Sequence, residues 1–354
     1  MSRPVRVEEA LAERELDALL VADLANVRWL TGFTGSNAMA LVGPGLRRFL
    51  TDFRYLTQAA EEVPDEWGQA EIATDLLERA ADGLPARVGF EDDHLSVKQH
   101  AQLAERVGDG VELVAAGGIV EELRLAKDPH EIERVRAAAR VADEAFREVV
   151  REGGIVGRTE REVALDLEFA MRRRGAEAAS FPPIVAAGAH GALPHAQPRD
   201  VPIPADTLVV IDFGAQKDGY ASDCTRTVAT GEVDPRDREV YDLVLRAQLE
   251  ALAAVRPGPE GREVDAVARA IIDDAGHAEH FGHGLGHGVG LAVHEGPRLS
   301  KLGETRLAAG HIVTVEPGVY VPGQVGVRIE DLVAITEEGH EVLSSLPKEL
   351  TVVA

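Results

Sequence analysis

The chain has 354 residues, 45% of them apolar, which is enough for a sizeable core and suggests two domains at about 150 residues each. With 37 Lys+Arg against 61 Asp+Glu the formal net charge is −24, a field that repels phosphate backbones and anionic lipid, so no nucleic-acid and no membrane partner is expected. No apolar run reaches the ~18 residues of a bilayer span, the N-terminus reads as an amphipathic helix rather than a signal peptide, and the single cysteine, Cys224, excludes an intramolecular disulfide; a cytoplasmic location is expected.

From Arg6 to about Gly118 short strands alternate with helices. Strands are expected at Ala18–Ala22, Ala38–Val42, Arg87–Phe90 and Val111–Ala115, and a helix over Phe53–Glu62, which together predict a layered α/β domain. Ala116-Gly-Gly-Ile marks a boundary, giving domains at residues 1–119 and 120–354. The second domain holds an internal repeat. A helix opens at Asp128-Pro129, with Glu131 at the third position, and stops at Gly153-Gly154; a second runs from Thr159 to Arg174. The same plan returns at Asp234-Pro235 and at Arg262 to Ala275. Arg161-Glu-Val…Gly175 and Arg262-Glu-Val…Gly276 match at one constant offset of 101 residues. A hairpin is expected after each pair: Leu208–Ala215 with Tyr220–Thr230 around Lys217-Asp-Gly, and Ile312–Val321 with Val325–Ile335 around Pro322-Gly-Gln. Two matched halves predict a pseudo-twofold domain with its ligand site between them.

The hairpins display acids. A loop centred between Lys217 and Asp218 would set Asp212 directly opposite Asp223, and a turn centred on Gly323 would set Glu316 opposite Glu330. Like charges facing across a ladder are destabilising, and these lie amid apolar residues. Taken singly, each acid can be satisfied by an arginine such as Arg226 or Arg328, or can turn to solvent. Four at equivalent places of two repeats ask for more positive charge, which two divalent cations supply. Between the second helix pair and the second hairpin, glycine alternates with larger residues from Gly282 to Gly290. As a strand this would show only glycine on one face and His283 and His287 on the other, open to close approach by another backbone or a substrate. With His294 these histidines crowd beside the carboxylates, and a metal or catalytic role is expected. Oxygen donors with an imidazole suit Mn, Co, Fe or Zn. Paired ions of this kind generate hydroxide near neutral pH, the equipment of a hydrolase acting on amides. Cys224 would point to the opposite face from Asp223 and reads as a packing residue.

Val210-Ile-Asp-Phe-Gly-Ala with Tyr220-Ala-Ser-Asp-Cys-Thr-Arg-Thr, Gly286-His-Gly-Val-Gly-Leu-Ala-Val-His-Glu, Val315-Glu-Pro-Gly-Val-Tyr and Gly326-Val-Arg-Ile-Glu-Asp resemble, in order, the motifs of the Xaa-Pro aminopeptidase/prolidase metallopeptidases. Asn26-Val-Arg-Trp-Leu-Thr-Gly-Phe-Thr-Gly-Ser-Asn resembles the creatinase-like first domain of that family. The resemblance implies an α/β (α+β) protein whose second domain has the pseudo-symmetric pita-bread fold. It implies two divalent metal ions, Mn first with Co, Zn or Fe as alternatives, on Asp212, Asp223, His287, Glu316 and Glu330. Glu316 would be the general base, His294 would bind the scissile carbonyl, and His195 and His283 would shape the proline pocket and shuttle protons. Arg328, Tyr320 and Arg298 would serve the substrate, Arg298 by holding a dipeptide's carboxylate. The expected activity is cleavage of the bond before a proline at the second position of a peptide, by a homodimer. The alternative is a prolidase restricted to Xaa-Pro dipeptides. More remote are a metal-free creatinase-like hydrolase, which the intact ligand set opposes, and a non-catalytic binding module.

Overall fold

The structure, a computed structural model, describes residues 2–353 and divides into two compact units between Arg124 and Leu125. The first is built on a six-stranded mixed sheet of β1 (Ala18–Val21), β2 (Ala38–Gly43), β3 (Leu46–Thr51), β4 (Glu71–Ile72), β5 (Arg87–Phe90) and β6 (Glu112–Ala115). Its order is β4-β3-β2-β1-β5-β6. The alternation of strands with helices produces the parallel pairs β1–β5 and β5–β6, while the consecutive β1, β2 and β3 pair antiparallel. Strand β3 has no counterpart among the expected strands, because Arg47 and Arg48 interrupt its apolar pattern. It is held by its ladder to β2 and by Arg48, which grips Glu71 through Nε at 2.7 Å and Nη2 at 2.8 Å. Helix Ile119–Arg124 belongs with this unit and not with the second domain, to which the glycine boundary would assign it, because the buried Arg124 donates to Asn26 Oδ1 at 2.6 Å.

The second unit repeats itself. The first helix pair is Pro129–Phe146, continued by a π-helical turn Arg147–Glu152, and Glu160–Arg173; the second is Pro235–Ala254 and Gly261–Asp274. The caps are those the sequence spacing asks for. Asp128 accepts from the amides of His130 and Glu131, and Asp234 accepts from that of Arg236. Glu162 returns to the Thr159 amide at 2.8 Å and Glu263 to the Glu260 amide at 2.7 Å, at equivalent points of the two halves.

Beside the helices lie β7 (Ala178–Ala179), β8 (Ile184–Ala187), β9 (Leu208–Phe213), β10 (Ala215–Lys217), β11 (Tyr220–Ala221) and β12 (Cys224–Ala229) in the first half. The second half carries β13 (Gly286–Gly288), β14 (Glu295–Leu299), β15 (Ile312–Val315), β16 (Gly318–Val321), β17 (Val325–Arg328), β18 (Asp331–Ile335) and β19 (His340–Val342). The two-residue periodicity of these strands separates core from site. Val209, Ile211 and Phe213 pack against Val141, Ala145 and Phe146, which leaves Asp212 on the other face. Val313, Val315, Val325, Val327 and Ile329 pack with Val240, Val244 and Ala247, which leaves Thr314, Glu316, Arg328 and Glu330 on the other face.

Two registers decide where the acids go. Gly318 pairs with Arg328 and Val315 with Asp331, so the turn is centred on Gly323 and Glu316 lies across from Glu330, as the spacing predicts. The first hairpin differs. Its turn is Asp218-Gly219, both with positive φ (50° and 80°), the conformation of a two-residue primed turn. That pairs Asp212 with Thr225, so Asp223 is its diagonal neighbour on the same face and not its direct partner. The two halves meet where the Glu330 amide donates to Thr225 O at 3.0 Å and Thr227 Oγ1 donates to Arg328 O at 2.9 Å.

The glycine-rich stretch is a strand only over Gly286–Gly288, not over nine residues. The bare face is nonetheless used as the alternation requires. A Cβ on Gly286 would fall 2.0 Å from Thr314 O, and one on Gly288 1.8 Å from Gly296 O, so both neighbouring strands approach at glycine distance.

Candidate active site

Asp212, Asp223 and Glu330 come together with carboxylate oxygens within 4.8 Å of one another. His287 Nε2 lies 3.5 Å from Asp223 Oδ2 and 3.3 Å from Glu316 Oε1, so all five expected ligands converge. His287 Nδ1 bonds to Gly288 O at 3.0 Å, and that tautomer leaves the Nε2 lone pair facing the carboxylates. Burial lowers the His287 pKa, which keeps the imidazole neutral and able to act as a ligand.

The carboxylates lack positive charge. Burial, and after it the charges of Glu330, Asp212 and Glu316, push the Asp223 carboxyl well above the usual range. Burial does the same to Glu330, with Glu316 and Asp212 adding to it. Glu316 is also raised by burial, though the nearby His283 and Arg328 work against it. Arg328 is a buried cation whose guanidinium reaches the cluster. Its Nη2 donates to Asp212 Oδ2 at 2.5 Å, its Nε to Thr225 Oγ1 at 3.0 Å and its Nη1 to Tyr320 OH at 2.8 Å and Pro194 O at 3.2 Å. One guanidinium does not balance four buried carboxylates, and Asp212 Oδ1 and Glu330 Oε1 are buried without any hydrogen-bond partner.

The remaining histidines surround this cluster. His283 Nε2 meets Tyr320 OH at 3.0 Å, and the His294 ring packs on that of His287 with centroids 4.4 Å apart. His195, His283, His287, His294, Asp212, Asp223, Glu316 and Arg328 all line one cavity of about 1030 Å³. Its wall includes the apolar Phe181, Pro182, Pro183, Ile184 and Pro194. Arg298 stands apart: it is exposed on β14 and is not among the residues lining the cavity. Cys224 is buried among apolar side chains on the far face of β12, and burial pushes its thiol up, as befits a packing residue.

Residues 133–337, more than half of the chain, match metallopeptidase family M24, and residues 3–126 match the creatinase/prolidase N-terminal domain. The chain belongs to metallopeptidase family M24. It is therefore a metallopeptidase hydrolase, and its second unit has the pita-bread fold. A structure of an Xaa-Pro dipeptidase from Bacillus anthracis superposes with a TM-score of 0.95 at 38% identity, covering 99% of each chain. An Xaa-Pro dipeptidase of Pyrococcus horikoshii is 34% identical over 98% of this chain and 97% of its own. An X-Pro aminopeptidase structure from Thermotoga maritima gives a TM-score of 0.88 at 35% identity, over 97% of this chain and 99% of that one.

Membership in M24 implies divalent metal, and the two orphaned buried oxygens, the excess of carboxylate and the neutral imidazole fit such ions. Two threonines that sequence reasoning did not single out hold carboxylates of the cluster. Thr225 Oγ1 donates to Glu330 Oε2 at 2.8 Å. Thr314 Oγ1 donates to Glu316 Oε1 at 2.9 Å while accepting from the His287 amide at 3.0 Å. The signal was available: each lies two positions from an expected ligand, Asp223 or Glu316, that flanks its strand, hence on the same face. Among the described residues, no helix is long and apolar enough to cross a membrane.

Proposed function

We propose that this M24 peptidase hydrolyses the peptide bond between a first residue and a following proline, with the Xaa-Pro dipeptide as its substrate. The observation that carries the proposal is the convergence of Asp212, Asp223 and Glu330 with two partnerless buried oxygens, Asp212 and Asp223 lining a cavity whose apolar wall holds Phe181, Pro182, Pro183, Ile184 and Pro194. The dipeptide is favoured by the activities named for the Bacillus anthracis and Pyrococcus horikoshii relatives. A second reading, removal of the first residue from longer peptides with proline second, is supported by the Thermotoga maritima relative and by the cavity. At about 1030 Å³ the cavity is at the upper end of the range of about 300–1,000 Å³ for small-ligand pockets.

Asp212, Asp223, His287, Glu316 and Glu330 would hold two divalent ions, manganese foremost. When bound, such ions balance the carboxylates, activate water and polarise the scissile carbonyl. The chain's own groups do the rest. Glu316, with one oxygen fixed by Thr314, takes the proton of the attacking water and delivers it to the leaving proline nitrogen. His294, neutral because burial lowers its pKa, offers its ring N–H to the carbonyl oxygen as charge develops there. His283, hydrogen-bonded to Tyr320, and His195 both line the cavity and would shape the pocket for the substrate proline. Arg328 holds Asp212 directly and Glu330 through Thr225. Only the sequence resemblance speaks for Arg298 as the clamp on a dipeptide's carboxylate. Arg298→Ala should then raise KM for Xaa-Pro about tenfold or more and leave Xaa-Pro-Yaa unchanged.

The test is a substrate series of Xaa-Pro, Xaa-Pro-Yaa and a longer Xaa-Pro peptide with added Mn or Co, alongside metal analysis. Cleavage of the dipeptide alone supports the proposal. Cleavage of the longer peptides selects the second reading, and a metal-loaded protein inert on all three ends both. The cytoplasmic location and the homodimer belong to the same reading; fractionation and sedimentation test them.

A further inference from the structure

His283 sits in a segment that has no ladder to hold it. Gly282, Gly284 and Gly286 flank His283 and Leu285, so the backbone has few side chains to anchor it and the greatest conformational freedom to lose. Strand β13 begins only at Gly286. The main chain of the preceding residues is tied to an ion pair on the helix Gly261–Asp274. Asp265 and Arg269, one turn apart, form a two-bonded pair: Nε to Oδ2 and Nη2 to Oδ1, both 2.8 Å. The pair then takes up three main-chain groups at alternate residues. Arg269 Nη1 donates to Phe281 O at 3.0 Å, Nη2 donates to His283 O at 2.9 Å, and Asp265 Oδ1 accepts from the Leu285 amide at 3.0 Å. The guanidinium also lies over the Phe281 ring, 4.3 Å from its centroid, and that ring meets the His283 ring edge-on at 5.1 Å. Leu285 O in turn accepts the Glu316 amide at 2.8 Å, so the same segment fixes the backbone of the general base.

We propose that Asp265 and Arg269 are positioning residues for the peptidase reaction: the pair replaces the missing ladder and sets His283 against Tyr320 and the acid cluster. Both lie outside the cavity lining and touch no expected ligand side chain, so their effect passes through the segment Phe281–Leu285. Lysine at position 269 keeps the charge but cannot bond two acceptor sets in one plane, so it should release the segment without emptying the site.

The inference rests on the peptidase reading, and the experiment separates the two. Amide hydrogen exchange of the purified full chain reads the segment directly. Arg269→Lys, and separately Asp265→Asn, should raise exchange across residues 281–286 at least tenfold and leave the strand pair β9–β12 unchanged. With dipeptide substrate and unchanged metal content, Arg269→Lys should lower kcat about 10–100-fold, the scale expected for a misplacement of about 1 Å, with KM within threefold. In a His283→Ala background the same substitution should cost at least threefold less than it does alone, because only the route through Leu285 to the Glu316 amide is left. Unchanged exchange at 281–286, or equal losses in kcat with and without His283, overturns the proposal. A wild-type protein that cleaves no Xaa-Pro peptide sinks the proposed function instead, and the exchange measurement still decides whether the pair orders the segment.

Discussion

Replacing Glu160 by alanine should destabilise the catalytic unit by several kcal/mol, because this buried carboxylate is a five-donor anchor. Glu160 opens the helix Glu160–Arg173 and is 1% exposed. It accepts, each at 3.0 Å, from the amides of Ala187 and Arg199, from His190 Nδ1 and from Arg199 Nε and Nη2. These bonds staple both ends of the segment 187–199, which carries His195. Burial pushes the Glu160 carboxyl upward, but its bonds from Arg199, Ala187 and His190 outweigh that and hold it below the usual range. Alanine leaves the Ala187 and Arg199 amides and the His190 ring without a partner, at about 1–3 kcal/mol for each buried orphan. The ion pair itself adds little, since Arg199 is 46% exposed and solvent screens it. Three full orphans would sum to about 3–9 kcal/mol. Arg199 is exposed and water can reach its amide, so the lower part of that range applies, about 3–5 kcal/mol, which is also what removing one partner from a buried charged network costs. At about 2–4 °C per kcal/mol for a unit of this size, the thermal midpoint should fall by roughly 6–20 °C. Because the folded carboxyl is depressed, its contribution is present above the unfolded value near 4.5 and is lost as the pH falls through the lower folded value. The gap between wild type and Glu160→Ala should therefore narrow as the pH is taken below 4.5. Scanning calorimetry at several pH values measures it. A fall of less than 2 °C at pH 7, or a gap that widens in acid, would refute the reasoning.

Three further outcomes follow from the same structure. Asp223→Ala and His287→Ala should each abolish metal binding and turnover; elemental analysis and the peptidase assay check this, and full activity after chelation would put the creatinase-like alternative ahead. Gly288→Ala should cost about 3 kcal/mol or more and displace His287, because its Cβ would sit 1.8 Å from Gly296 O, while Gly282→Ala, with nothing within 4 Å of its Cβ, should stay within about 1 kcal/mol of wild type in thermal melts. In the first unit, burial raises the Glu91 carboxyl from 4.5 to about 7 despite its bonds from the amides of Asp23 and Ala22 and from Asn26. The folded state thus resists ionising it, and that unit's stability should fall as the pH rises from about 4.5 to 7 and level off above. Glu91→Gln should remove this slope whatever it does to the midpoint, and a slope that survives the substitution would assign the effect elsewhere.

Local signals carried the fold as far as local physics reaches. Asp128-Pro129 and Asp234-Pro235 predict helix starts because an N-cap side chain and a proline act within one turn, and the offset of 101 residues exposes the duplication because both halves solve the same packing problem. The second hairpin's register was equally legible, since a three-residue turn on Gly323 leaves little choice. The first was misjudged by one residue at the turn. Positive φ at both Asp218 and Gly219 selects a two-residue loop, and a one-residue shift of the centre moves Asp212 from Asp223 to Thr225. The face survived that slip, because the strand period is two and the centre moved by a whole residue, and so the acids still converge.

What stayed hidden depends on contacts between distant segments. Arg269 and Asp265 look like an ordinary helical ion pair one turn apart, of a kind worth a few tenths of a kcal/mol on a surface. Only the folded chain brings Phe281, His283 and Leu285 within reach of them. Glu160 likewise looks like a first-turn acid suited to the helix dipole until Ala187, His190 and Arg199 close over it. The residues that touch substrate and those that hold them thus leave different traces. The former must supply particular chemistry, so their types are readable from spacing and family likeness. The latter need only offer a charge at the right place, and many positions on a helix could do so. Supporting residues of this kind are therefore found from hydrogen bonds that end on main-chain groups beside the site, which is where Asp265, Arg269 and Glu160 all point.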